Sequence, residues 1–98
     1  MIEKALPLRL AWQLVVLDDP TLTPMAKLLA FALISYMDAK GSCFPRVELL
    51  ASRMSVRRNT VKRARAELVA AGLLRVAGSS GHSNTYVALL RGGSPRVG

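Results

Sequence analysis

Cys43 is the only cysteine in 98 residues, so no disulfide can close within the chain. A lone cysteine suits a reducing compartment, and a small buried apolar side chain is expected there rather than a reactive thiol. His82 is the only histidine and has no set of cysteines to join, which excludes a zinc site of the usual kind. Long hydrophobic runs are missing too. The longest, LLAFALISYM from Leu28 to Met37, has ten residues, about half of the roughly 20 that cross a bilayer. The opening MIEKALPLRL lacks the apolar core of a secretory signal. Neither a membrane nor a metal nor a cofactor is expected, and the expected location is cytoplasmic. Aromatic residues make up 5 % of the chain and are not interleaved with its cations, which argues against a single-strand-binding face. There is no paired-carboxylate motif, no nucleophile with its base and no phosphate loop; GSSG at Gly78–Gly81 is followed by His82, not lysine. No enzyme is expected.

Acids are scarce, six against fourteen Lys and Arg, and the net charge is +8. That points to a polyanionic partner, nucleic acid before a membrane surface. The placement of the charge is more telling than its sum. Residues 1–45 carry Lys4, Arg9, Lys27 and Lys40 against Glu3, Asp18, Asp19 and Asp38, a net of zero. Residues 46–98 carry ten cations against Glu48 and Glu67. One electrostatic face is implied, rather than a generally basic surface.

Along the chain, LRLAWQLVVL fits a short helix or a strand, and a helix over residues 11–17 is expected. DDPTLTP is a turn. Thr23 reads as an N-cap with Pro24 in the first helical position, where a missing N–H is harmless. That helix should run to about Asp38. Its middle is apolar all round, so it must be buried on more than one side, by residues 1–20 or by a second subunit. A loop follows, with a short extended piece at Ser42–Phe44, and then a helix from Pro45 with Val47, Leu50, Ala51 and Met54 on one face. After a turn at Ser55–Val56, the apolar residues Val61, Ala64, Leu68 and Ala71 recur at helical spacing up to Gly72, a natural terminator. LLRVA and TYVALL then read as two strands joined by the small polar tip Gly78–Asn84, and RGGSPRVG reads as a flexible tail. Phe44, Tyr86, Trp12 and Leu74 are assigned to the core.

Within SVRRNTVKRAR, five cations (Arg57, Arg58, Lys62, Arg63 and Arg65) fall in nine residues. At about 100° per residue, Asn59, Lys62, Arg63 and Ala66 lie opposite the apolar stripe, with Arg58 beside them. Arg65 falls at the stripe's edge, where its stem can lie on apolar surface. No acid occurs between Glu48 and Glu67, as an ordinary solvated face would have. A helix fits the major groove and offers its first turns to base edges. Arg suits guanine and Asn suits adenine. Arg57, Arg58, Asn59, Thr60, Lys62 and Arg63 are therefore the candidate recognition residues. Arg46 and Arg53 on the preceding helix, and Arg75, Ser79, Ser80, His82 and Asn84 on the hairpin, are candidates for the DNA backbone or minor groove. For the hairpin tip, a plain solvated loop is the equal alternative.

The string LLASRMSVRRNTVKRARAEL resembles a helix-turn-helix, with Ala51 where the two helices touch, Val56 in the turn and Val61 in the second helix. From Leu22–Thr23 to TYVAL, the chain resembles the winged helix-turn-helix domains of phage and plasmid replication proteins and related transcription regulators. The matching pieces are Phe44–Pro45, Thr60–Val61 and the run Leu68 to Leu74 through Gly72. The resemblance implies a mainly α fold with a small β-hairpin wing: three core helices plus an N-terminal segment. It also implies double-stranded DNA as partner, with helix 57–71 in the major groove and wing 73–90 on the backbone or minor groove. Two positions depart from the pattern. Ser55 stands where Gly is common, and Arg57 stands where Ser or Thr usually caps the second helix. Arg at an N-cap opposes the helix dipole, so a job outside the fold is expected of it.

The organisation expected is residues 1–20 as a cover or dimerisation segment, 21–90 as the winged helix-turn-helix and 91–98 as tail. The rival to a DNA-binding regulator or replication-initiation factor is a protein–protein assembly module with only non-specific DNA affinity. A homodimer through the Pro24 helix and residues 1–20 is expected, against internal cover of that helix by Leu10, Trp12, Val15 and Val16.

Overall fold

The computed structural model describes residues 7–79 and 84–90. It holds four helices and a three-stranded antiparallel sheet, an arrangement consistent with a winged helix-turn-helix. The order is α1 (Leu8–Asp18), α2 (Pro24–Ile34), β1 (Ser42–Cys43), α3 (Val47–Met54), α4 (Arg58–Ala70), β2 (Leu74–Ser79) and β3 (Asn84–Ala88).

The ambiguous N-terminal stretch is a helix, longer than expected at both ends. Its buried residues, Trp12 and Val16, are one turn apart and fully covered. The Trp12 indole N–H donates to the Leu73 carbonyl at 2.7 Å, across 61 residues of sequence. That carbonyl also accepts from Leu89 N–H at 2.9 Å. One buried oxygen thus ties α1, the exit of α4 and the last described residues together. Leu8 packs over Gly41, where an added Cβ would come within 2.8 Å of the leucine side chain. Lys27 Nζ donates to the Leu17 carbonyl at 2.7 Å, satisfying one acceptor at the end of α1. Internal cover of α2 by Trp12 and Val16 is therefore present, while Leu10 faces outward.

Thr23 caps α2 as expected, its hydroxyl accepting from Ala26 N–H at 3.2 Å, with Pro24 first in the helix. The helix ends at Ile34, four residues short of Asp38. The Ser35 hydroxyl donates to the Ala32 carbonyl at 2.7 Å, and the backbone N–H groups of Ser35, Tyr36 and Met37 bond three residues back. A side chain that competes for the helix's own acceptors tightens and then stops the last turn. Asp38 then organises the next turn, accepting from the N–H groups of Lys40 and Ser42. Those backbone donors, Ser42 first, hold its carboxyl below the usual carboxylate range.

Helix α3 begins at Val47, not Pro45, with Arg46 as an N-cap that makes no side-chain bond. Ser55 closes it in the left-handed conformation, φ 62° and ψ 42°. Val56 N–H reaches back five residues to the Ala51 carbonyl at 3.0 Å, and Ser55 N–H three residues to the Ser52 carbonyl at 3.2 Å, the two bonds of this kind of helix stop. A side chain in that region costs about 1–2 kcal/mol, and glycine's extra freedom in the unfolded chain offsets about 0.5–1 kcal/mol of the relief. Ser55→Gly is expected to stabilise the protein by about 0.5–1 kcal/mol, a rise of roughly 2–8 °C in Tm for a domain of this size. Thermal unfolding by circular dichroism checks this, and a fall in Tm would give the Ser55 side chain a role in the turn.

Helix α4 stops at Gly72 (φ 78°), with Leu73 N–H bonded back to the Leu68 carbonyl at 3.0 Å. The hairpin follows, with Leu74 opposite Ala88, Val76 opposite Tyr86 and a bulge between Ala77 and Ser79. Gly78, Ser79 and Asn84, assigned above to the tip, thus belong to strands. Residues 42–43 add a third strand beside β3, Cys43 opposite Tyr86. The core gathers Trp12, Leu29, Leu33, Leu50, Val61, Leu68, Leu73, Leu74 and Tyr86 between the helices and one face of the sheet. Phe44 corrects the core assignment: it is 69 % exposed. The residue leaves β1 just before Pro45, and its side chain joins Tyr36, Pro45 and Leu49 around a surface hollow of about 250 Å³. Cys43 is buried, and its burial, followed by the nearby Asp38 charge, pushes the thiol up to about 11. It is a core side chain and not a thiolate at neutral pH.

Candidate nucleic-acid interface

Helices α3 and α4 pack through Leu50, Ala51 and Met54 on one side and Val61, Ala64 and Leu68 on the other, all buried. Ala51 is small enough for close approach, and the left-handed Ser55 sets the turn between the helices. With the apolar face of α4 turned inward, Arg57, Arg58, Asn59, Lys62, Arg63 and Ala66 are all exposed. Thr60 is half-buried beside them.

Arg57 is the N-cap, in extended backbone and without a side-chain cap. Its carbonyl accepts from Thr60 N–H at 3.0 Å and Val61 N–H at 3.2 Å. Among the described residues, the N–H groups of Arg58 and Asn59 find no acceptor inside the protein. A helix start with open N–H groups and uncapped cations favours an anion.

The two acids of the basic half are both engaged. Glu48, in the first turn of α3, accepts from Arg58 at 3.0 Å, and both side chains are 61 % exposed. Its own backbone N–H, then the Arg58 bond, hold the Glu48 carboxyl low. Such an exposed pair adds little stability but orients Arg58 toward α3. Glu67 accepts from Thr23 N–H at 3.0 Å and from the Thr23 hydroxyl at 2.7 Å. The carboxylate thereby clamps α4 to the start of α2. In the sequence alone, Glu67 figures only as a charge. The signal that would have found it is an N-cap threonine, whose hydroxyl can donate while it caps.

The remaining candidates divide. Arg46 is exposed at the start of α3, and Arg75 is exposed on β2. Arg53 lies over the Tyr36 ring, 5.2 Å from its centroid, and donates to Ser35 Oγ at 3.0 Å. It is thus held against the end of α2 rather than with the α4 cluster. Arg65 donates to Tyr86 Oη at 3.3 Å and is half-buried, at the edge of the apolar stripe as expected. Asn84 starts β3 half-buried opposite Ser79. Ser80 and His82 lie outside the described residues, as does the tail from 91.

A two-helix unit with a tight turn, whose second helix shows a cationic, acid-free face, defines a protein of the DNA-binding helix-turn-helix class. The chain belongs to the helix-turn-helix domain family, whose model matches residues 21–74, more than half its length. No curated protein and no solved structure matches it. Among the described residues no helix is long and apolar enough to cross a membrane.

Proposed function

We propose that the chain is a sequence-specific double-stranded DNA-binding protein. In this reading it acts as a transcription regulator or replication-initiation factor of a phage or plasmid, and not as an enzyme. The observation that carries the reading is the exposed start of α4. Arg57, Arg58, Asn59, Lys62 and Arg63 share a surface on which neither nearby acid is free. In the major groove, Asn59 and Arg63 would face base edges, while Arg57 and the open N–H groups would meet phosphate. Arg46 and Arg75, with Ser79, Ser80, His82 and Asn84 of the wing, would follow the backbone or minor groove. Arg53 would join them only by leaving Tyr36. A two-fold dimer would set two such helices about 34 Å apart, on an inverted repeat.

The second reading, an assembly module of a replication complex, is favoured by the exposed Phe44 and Leu49 beside Tyr36. Duplex titrations separate the two. Asn59→Ala and Arg63→Ala are expected to cost about 1–3 kcal/mol each on the cognate site and to relax base preference. Arg57→Ala is expected to weaken all sequences alike. Equal losses on cognate and random duplex for all three variants would move recognition to the wing or to DNA shape. No loss in any variant would leave the assembly reading.

A further inference from the structure

Covering α2 with α1 does not remove the apolar surface; it adds to it. On α1, Trp12 and Val16 point inward, and the opposite side carries Leu10, Leu14 and Leu17. On α2, Ala26, Leu29, Ala30 and Leu33 point inward, and the opposite side carries Leu28 and Phe31. These five side chains remain between 39 and 47 % exposed. Their spacing is regular. Leu10, Leu14 and Leu17 step by four and three, and Leu28 and Phe31 step by three between the exposed Pro24 and Ser35. Steps of four and three make the seam by which one helix packs along another.

Charge limits what can dock there. The basic half of a +8 chain repels a second basic half within a Debye length, roughly 8 Å. Residues 7–45 are neutral, with Arg9, Lys27 and Lys40 against Asp18, Asp19 and Asp38. Two of those cations are turned to the protein's own carbonyls, Arg9 to Met37 at 3.4 Å and Lys27 to Leu17 at 2.7 Å. A neutral apolar seam complements itself, which is what an isologous two-fold contact requires.

We propose that the outward faces of α1 and α2 are the self-association surface, on which a second copy docks helix pair against helix pair across a two-fold axis. Four helices, two from each copy, then share the seam, with Leu14 and Phe31 in its middle. Five partly exposed side chains make a small contact, so dissociation in the micromolar range is expected. The proposal rests on the dimeric form of the reading above, but not on DNA binding.

Sedimentation equilibrium of the whole chain without DNA tests it. The expected result is a monomer–dimer equilibrium at tens of micromolar, weakened more than about tenfold by Leu14→Lys, since each dimer carries the change twice. Phe31→Lys, on the other helix, should act in the same direction. Both sites are surface positions, and circular dichroism with Trp12 fluorescence confirms that each variant is folded. Phe44→Lys, an equally apolar exposed site on another face, should leave association unchanged. A wild-type monomer throughout that range overturns the proposal. So does a dimer indifferent to both seam changes, or one that Phe44→Lys breaks as strongly. Recognition-helix variants that dimerise and bind duplex DNA as well as the wild type would count against the DNA reading alone.

Discussion

Trp12→Ala will cost the protein about 3–5 kcal/mol, the usual loss for emptying a fully buried aromatic site. A small domain has about 5–15 kcal/mol in total, so the variant will stand near the edge of folding. The expected size follows from what Trp12 joins. Its ring is wholly covered, and its N–H meets a carbonyl at the exit of α4 that also serves Leu89. Removing the indole leaves a cavity and loosens α1 and the wing together. Trp12→Phe separates the terms: most of the packing stays, and the loss should be about 1–2 kcal/mol from the hydrogen bond and the smaller ring. Urea unfolding of the three proteins gives the comparison. If Trp12→Ala cost under about 1 kcal/mol, α1 would be an accessory to the domain and not part of its core.

The second large effect is on DNA affinity and salt. With roughly five cations (Arg57, Arg58, Lys62, Arg63 and Arg75) brought against the duplex and displacing its counterions, log affinity should fall against log salt with a slope of about −4 to −5. That is a loss of roughly 250- to 1,000-fold between 50 and 200 mM salt. Arg58 enters this count because its Glu48 partner is exposed and a phosphate can replace it at little cost. Arg53 and Arg65 are left out, being bonded to Ser35 and Tyr86. Fluorescence anisotropy on duplex DNA at several salt concentrations measures the slope. A slope near zero would sink the electrostatic reading whatever the fold, and one of about −6 would draw Arg46 and Arg53 into the contact.

Much of the helix-turn-helix was legible because its signals are local. Thr23–Pro24 starts a helix by backbone chemistry that needs no tertiary partner. The spacing of Val61, Ala64 and Leu68 sets the inward face of α4, and the same arithmetic puts Asn59, Lys62 and Arg63 outside. Gly72 ends that helix because a left-handed residue is needed there. At Ser55, where Gly is common, the sequence leaves open a left-handed residue or an altered turn, and the φ of 62° decides for the first. Where competing local bonds decide, the pattern misled. Apolar periodicity continued past Ile34, but the Ser35 hydroxyl took the Ala32 carbonyl and ended α2.

What the sequence determined by itself is the identity and outward face of the cationic helix, its terminator and the separation of a neutral half from a basic one. These depend on periodicity, on caps and on counting charges. Only the tertiary structure decided that LRLAWQLVVL is a helix, because a short apolar run satisfies helix and strand alike until the Leu73 carbonyl receives the Trp12 N–H. It also decided that Phe44 is outside, since aromatic character says nothing about whether the chain turns before or after the core. And it decided which cations remain free, because Arg53 and Arg65 differ from Arg57 and Arg63 not in chemistry but in having Tyr36, Ser35 and Tyr86 within reach.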